Sequence, residues 1–395
     1  MAHAPKADQS SRRQSEAGRF EALDGWRGIC ALLVVCFHAP VGGYVHASAF
    51  FQGAFLFVDF FFVLSGFVIT HAFYDRLRSG RDARRFLLAR LFRVYPLHLF
   101  MLALFVGYEA FLYLTRGSEA AFQEGASPVG LLHNLLMTHS LGVLDGLTWN
   151  YPSWSISAEL VAYTLFALAM IGARRRLVPL AAMTIPVALA AILWLDGTID
   201  TTFHLGWLRC LAGFSVGVLI RRLLWVDAPL QALPGDRAVW TAAEIAVVGL
   251  VIVFVHGFAL SGLSLAAPLV FGFALYVFSH EGGWLSVGLK TRPIAFLGTV
   301  SYSIYMTHAF VISRAENVVT VLLGKTGWTI VSYAADGKRL MGASEAQSLA
   351  ALGAIVAATL VASALTFRFV EMPGIAAGRA LLRGASSRRL VKRPV

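Results

Sequence analysis

GAFLFVDFFFVLSGFVITHAF, residues 53–73, carries one formal charge in twenty-one positions, the carboxylate of Asp59. As a helix this stretch rises about 31 Å, the thickness of a bilayer's hydrocarbon layer. An isolated strand would leave its N–H and C=O groups unpaired in lipid, so the stretch predicts a membrane-spanning helix. Similar apolar runs recur at 28–45, 94–114, 154–172, 177–195, 203–220, 239–256, 263–280, 293–313 and 347–370, which makes ten spans. They occupy about half of the 395 residues and leave no room for a second soluble domain of ordinary size. The composition, 57% hydrophobic and 14% charged with mean hydropathy +0.68, excludes a water-soluble globule.

The fold expected is an all-α polytopic membrane helical bundle of about ten transmembrane helices with both termini cytoplasmic. With the termini inside, the inner segments carry 27 of the 33 Lys and Arg, as the positive-inside rule requires. Residues 1–22 read as an uncleaved N-terminal tail, 23–373 as the membrane domain and 374–395 as a basic tail. Segment 128–144 is short for a span and reads as re-entrant or interfacial. The net charge of +11 is distributed between apolar runs and forms no basic face on a soluble fold, so nucleic acid is not an expected partner. Cys30, Cys36 and Cys210 lie in apolar segments and predict neither a disulfide framework nor a thiolate metal site. No P-loop, dinucleotide-binding glycine pattern or HExxH occurs. No permanently bound cofactor and no metal are expected, and the oligomeric state is not set by the sequence.

An ionisable side chain at the bilayer centre costs roughly 2.5–3.5 kcal/mol, which makes each one a functional suspect. His38 follows Arg27 by eleven residues, a rise of about 16 Å that puts the imidazole near mid-membrane. Asp59 must face the protein interior, where it either orients His38 or a substrate hydroxyl or pairs with a basic residue and holds helices together. Ser65–Gly66 in the same helix reads as a close-packing pair. Arg90 and Arg93 share a helix face, with Arg84 and Arg85 nearby. They suit a phosphorylated ligand or act as an anchor to anionic headgroups. In NYPSWSISAEL (150–160), Glu159 is a candidate acid, base or sugar-hydroxyl ligand, and Asn150, Trp154 and Ser157 are candidates for hydrogen bonding and stacking on a carbohydrate. In SYSIYMTH (301–308), Ser301, Tyr305 and His308 recur at spacings of four and three and form one polar stripe. Gly213 and Gly217 form a small-x-x-x-small pattern for helix packing.

Taken in order, LDGWRGICALLVVCFH (23–38), VDFFFVLSGFVIT (58–70), RLFRVYP (90–96), PSWSISAEL (152–160), SYSIYMTH (301–308) and FRFVEMP (367–373) resemble the acyltransferase-3 family of integral membrane acyltransferases. The resemblance extends over nearly the whole chain. It implies transfer of an acyl group, commonly acetyl, from cytoplasmic acyl-CoA to a hydroxyl of a surface polysaccharide, lipid-linked sugar or other glycosylated acceptor at the bacterial inner membrane. Arg27, His38, Arg90 and Arg93 match the family's functional motifs. Glu159 matches the first acidic residue of the family's Ser-x-Glu-Glu, and Leu160 replaces the second, so a role needing two adjacent carboxylates has no basis here.

The expected mechanism places acyl-CoA phosphates on Arg27, Arg90 and Arg93, with the thioester reaching His38. There the imidazole either removes the acceptor's hydroxyl proton or itself carries the acyl group, and Asp59 or Glu159 orients it. Asn150, Trp154, Ser157, Tyr305 and His308 would contact the acceptor. The rival reading is a transporter or flippase for a glycolipid or small solute. The arginine pair and the lack of an inverted repeat favour the enzyme.

Overall fold

The first helix, α1 (Glu21–His38), stops seven residues short of its predicted span. Its end has a local cause. Pro40 has no N–H to continue the helix and pushes Ala39 into extended geometry, φ −69° and ψ 118°. The chain then pairs with a hairpin far along the sequence, β1 (Val331–Tyr333) and β2 (Arg339–Met341). The Met341 N–H donates to the Pro40 carbonyl at 2.6 Å, and the Gly42 N–H donates to the Met341 carbonyl at 2.9 Å. His38 is therefore the last residue of its helix, not a mid-helix position as the predicted span implied.

The computed structural model describes residues 20–123, 125–225, 236–327 and 329–390. Each of the other nine predicted spans falls on a helix: α2 (Phe57–Phe73), α3 (Gly80–Arg116), α5 (Trp154–Gly172), α6 (Leu177–Asp196), α7 (Gly206–Leu219), α8 (Arg237–Phe258), α9 (Ala267–Phe278), α10 (Arg292–Thr326) and α11 (Glu345–Thr366). Between α3 and α5 lies the two-turn helix α4 (Pro128–Leu135), which occupies part of the open segment 128–144. Among the described residues, seven helices are long and apolar enough to cross a membrane: those covering Ala49–Phe73, Gly80–Arg116, Tyr151–Gly172, Arg174–Asp196, Arg237–Phe258, Arg292–Thr326 and Glu345–Arg383. The chain is an all-α polytopic membrane protein. The shorter α1, α7 and α9 lie in the interior, where protein atoms replace lipid around them.

Two close helix pairs organise the bundle, α1 with α10 and α2 with α7. Both depend on absent side chains. A Cβ on Gly66 would collide with the Phe214 backbone, and one on Gly217 with the Val63 carbonyl. In the other pair Gly28 lies against Leu297 and Gly298, and Gly298 lies against Asp24. Backbones can approach this closely only where side chains are small, and dispersion then holds helices together in a solvent that supplies no hydrophobic drive.

After α11 a π turn, Phe367–Glu371, leads into α12 (Met372–Leu390). Most of the predicted basic tail is thus helix, and Gly374 and Gly378 rest on Pro96 and Phe92 of α3. Residues 1–19 and 391–395 of the two predicted tails lie outside the described residues. The three cysteines are free thiols.

Gly217→Val should destabilise the protein by about 1–3 kcal/mol through overpacking. Gly249→Val, whose new Cβ would meet open space, should leave stability unchanged. Thermal unfolding of both variants in detergent checks the pair, and equal loss in both would contradict the close α2–α7 contact.

Candidate active site

Five helices converge on a cavity of ≈ 420 Å³. Asp24 and Arg27 reach it from α1, Ser65 from α2, Arg90 and Arg93 from α3, Glu159 and Tyr163 from α5, and Ser301 and Tyr305 from α10. The three arginines and Glu159, far apart in sequence, therefore share one wall system. The arginines differ in what they already hold. Arg27 Nη1 donates to Asp24 Oδ1 at 3.1 Å, one helical turn away. Arg93 Nη1 donates to Glu371 Oε1 at 2.5 Å, and the second Glu371 oxygen accepts from Ser303 Oγ at 2.8 Å. Glu371 is fully buried in the π turn, a feature that often marks functional sites because it re-aims a helical side chain. Arg90 has no hydrogen bond to its buried Nε among the described residues and sits 5.6 Å from the Phe73 ring centre. Among the described residues it is the arginine of this cavity that holds no carboxylate in an ion pair. Tyr163, whose hydroxyl is 3.0 Å from Ser65 Oγ, lies within electrostatic reach of both Glu159 and Arg90.

His38 is not on the cavity wall. It stands at the far end of α1, roughly 16 Å along the axis from Arg27. Its Nδ1 is 3.0 Å from the Val34 carbonyl and 3.2 Å from His308 Nε2. A carbonyl can only accept, so the proton belongs on Nδ1 and the lone pair on Nε2. The ring is half-buried, with Tyr151 at 4.9 Å and His308 at 5.0 Å between ring centres, so it faces protein groups. The stripe on α10 bridges the two places. Ser301 and Tyr305 line the cavity, Tyr305 lies 5.8 Å from His308 between ring centres, and His308 meets His38. The Tyr305 hydroxyl is fixed at 2.9 Å from Ser155 Oγ.

Four expected site residues are placed differently. Asp59 does not orient His38. Its oxygens are taken by Arg209, with Nε to Oδ1 at 3.1 Å and Nη2 to Oδ2 at 2.7 Å, and both side chains are buried. Trp154 is no stacking platform for a sugar, because its ring is enclosed by Gly206, Phe62 and the Arg209 guanidinium. Ser157 donates to the Met137 carbonyl at 2.7 Å and accepts from Ser140, which ties the loop after α4 to α5 and occupies its hydroxyl. Asn150 is buried and donates to the Met306 carbonyl at 3.1 Å, so its amide holds the turn before α5 against α10. Its Oδ1 has no partner among the described residues.

Arg209, Glu371 and Tyr151 were not singled out from the sequence. Arg209 was detectable, since a charge inside WLRCLAGF meets the same test that flagged Asp59. Glu371 lies in the quoted FRFVEMP motif, and only its pairing with Arg93 reveals its place.

Asp59→Leu or Arg209→Met should each cost about 3–5 kcal/mol by stranding a buried charge, and the Asp59→Leu/Arg209→Met double variant should recover most of that loss. Thermal unfolding of the three variants decides. Additive losses would mean the two groups do not act as a pair.

A family model described as an acyltransferase domain, Acyl_transf_3, matches residues 20–368. BcsY of Komagataeibacter xylinus, assigned as a membrane-bound transacylase, is 28% identical over 295 residues, 72% of this chain and 71% of that protein. Protein 2 in the picA locus of Rhizobium radiobacter is 36% identical over 172 residues, 39% of this chain and 84% of that protein. Peptidoglycan O-acetyltransferase OatA of Listeria monocytogenes is 22% identical over 379 residues, 89% of this chain and 55% of that protein. No solved structure matches the chain. With the family match spanning helices α1 to α11, the chain belongs to the acyltransferase-3 family and is a membrane acyltransferase.

Proposed function

We propose that the protein is an O-acyltransferase of the bacterial inner membrane that moves an acyl group, acetyl in the simplest case, from cytoplasmic acyl-CoA to a hydroxyl of a surface polysaccharide, lipid-linked sugar or other glycosylated acceptor. The observation that carries the reading is the gathering of Arg27, Arg90 and Arg93 on one cavity, with His38 at the other end of the same first helix. Both termini are then cytoplasmic, and the arginine end of the cavity is the donor's way in. The name of OatA describes O-acetyl transfer to peptidoglycan, and that of BcsY describes transacylation at a membrane, which agrees in class.

Acyl-CoA brings phosphates that an arginine fork holds through charge-assisted hydrogen bonds. Arg90 takes them first, because Arg27 and Arg93 already hold Asp24 and Glu371 and must share their remaining donors. The thioester arm extends along α1 and α10 past Tyr305 towards His38. His38 Nε2 removes the acceptor's hydroxyl proton as the oxygen attacks the thioester carbonyl. The carbon–sulfur bond breaks, and the CoA thiolate takes the proton back from the imidazolium. His308 holds the ring by its Nδ1 side, the arrangement that keeps a general base in one tautomer. The same Nε2 can instead accept the acyl group and hand it on, a two-step route. Trapping an acylated His38 peptide by mass spectrometry after rapid quench with donor alone identifies that route, and finding none identifies direct transfer.

With purified protein and labelled acyl-CoA, His38→Ala should abolish transfer while the protein remains folded; full transfer by this variant would reject the assignment. Arg90→Ala should raise the donor's KM by roughly 10–100-fold, the worth of one hydrogen bond to a charged group, with no change in thermal stability. Arg93→Ala should weaken the donor and also lower stability, because Glu371 is left buried without its cation. Comparing surface glycans and lipids of a deletion strain with the parent identifies the acceptor.

A further inference from the structure

A second cavity, of ≈ 440 Å³, lies behind α1. Leu23, Asp24 and Arg27 face the donor cavity, whereas Trp26, Ile29 and Leu33 face this one, so a single helix is the wall between the two. The second cavity runs along α1 and is bordered on its far side by Val251 and Ile252 of α8. A short helix, Trp284–Leu289, forms its rim at the N-terminal end of α1. Every lining side chain is apolar, and the single polar atom among them is the indole N–H of Trp26. That group is buried and has no hydrogen-bond partner among the described residues.

Water is an unsuitable filling. The volume equals roughly fifteen waters at about 30 Å³ each, and each water would need two to four polar partners where the lining is apolar. Close-packed interiors do not leave voids of this size empty without a cost in lost contacts. Ile252 and Gly288 on the lining are exposed on the outside of the bundle, so the opening gives onto the bilayer and the available filling is hydrocarbon. The rim is cationic. Lys290 sits there beside Glu281 at 2.8 Å, Arg292 opens α10 two residues before the lining residue Ile294, and Arg237 at the start of α8 stacks on Trp284 at 4.7 Å.

We propose that this slot binds one acyl chain of an anionic phospholipid, with the phosphate held by Arg292 and Arg237. An apolar slot alone would accept any chain. With Lys290 balanced by Glu281, Arg237 and Arg292 give one end a net positive charge, which selects a glycerophospholipid with net negative charge. The bound chain supports the back of the helix whose front carries Arg27.

Native mass spectrometry of the full-length protein, extracted from membranes containing phosphatidylglycerol and phosphatidylethanolamine, tests the proposal. The wild type should retain one phospholipid, enriched in phosphatidylglycerol over its share of the membrane, and its delipidated form should gain thermal stability when phosphatidylglycerol is added back. Gly288→Phe places a ring in space that is open around the Gly288 Cβ position and should lose both the retained lipid and the thermal gain. If Gly288→Phe does not fold, Ile252→Trp fills the same slot from α8 and should give the same two losses. Arg237→Glu/Arg292→Glu should keep a lipid while losing the preference for phosphatidylglycerol. Retention of the same lipid by a folded slot-filled variant, or the absence of any retained lipid in the wild type, would overturn the site; an unchanged preference in the double-charge variant would overturn the anionic assignment.

Discussion

A formal charge in a low-dielectric interior must be matched by an opposite charge or by several hydrogen bonds, and this requirement decides which helices meet at several points of the bundle. Asp59 of α2 is matched by Arg209 of α7, which locks one of the two close helix pairs near the point where glycines bring the backbones together. Glu371 is matched by Arg93 and Ser303 and joins the end of α11 to α3 and α10. Glu244 of α8 accepts from the Gly283, Leu285 and Ser286 N–H groups and the Ser286 hydroxyl, and so caps the short rim helix. Among the described residues, Arg90 and Glu159 lie on the cavity wall without an ion pair of this kind, with Tyr163 in reach of both. The place where the rule is left incomplete is the place suited to a charged substrate.

The coupling between donor cavity and histidine resides in two helices. α1 carries Arg27 at one end and His38 at the other, and α10 carries Ser301 and Tyr305 beside the cavity and His308 beside His38. Their backbones approach closely at Gly28 and Gly298, so both ends of the site are carried on one packed helix pair. The Pro40 break and the hairpin that pairs with Pro40 and Gly42 fix where α1 stops, and hence where the imidazole stands.

Much of this was legible in the sequence, because the bilayer restricts the options. Each apolar run overlaps a helix, seven of the described helices being long and apolar enough to span, and the spacing of Ser301, Tyr305 and His308 gave the polar stripe seen on α10. The limits of α1 were missed because apolar residues continue past Pro40, and the pairing that diverts the chain comes from residues about 300 positions later. Asp59 shows a different limit. Its burial followed from composition, but its partner did not, since a lone carboxylate suits a catalytic role and an ion pair equally until Arg209 is seen beside it. Trp154 and Ser157 lie in a motif that resembles a carbohydrate site, yet their polar groups and faces are used by helix packing. Which face a side chain presents is decided by tertiary contacts that a single strand of sequence does not contain.

The claim that the arginine cavity and His38 serve one reaction is tested most directly by a cryo-EM structure with a non-hydrolysable acyl-CoA analogue. The account predicts phosphates against Arg90 and Arg93, with the acyl carbonyl carbon within about 6 Å of His38 Nε2, which leaves room for one hydroxyl oxygen about 3 Å from each. An analogue bound with its acyl end remote from His38, or bound away from the arginines, would contradict it.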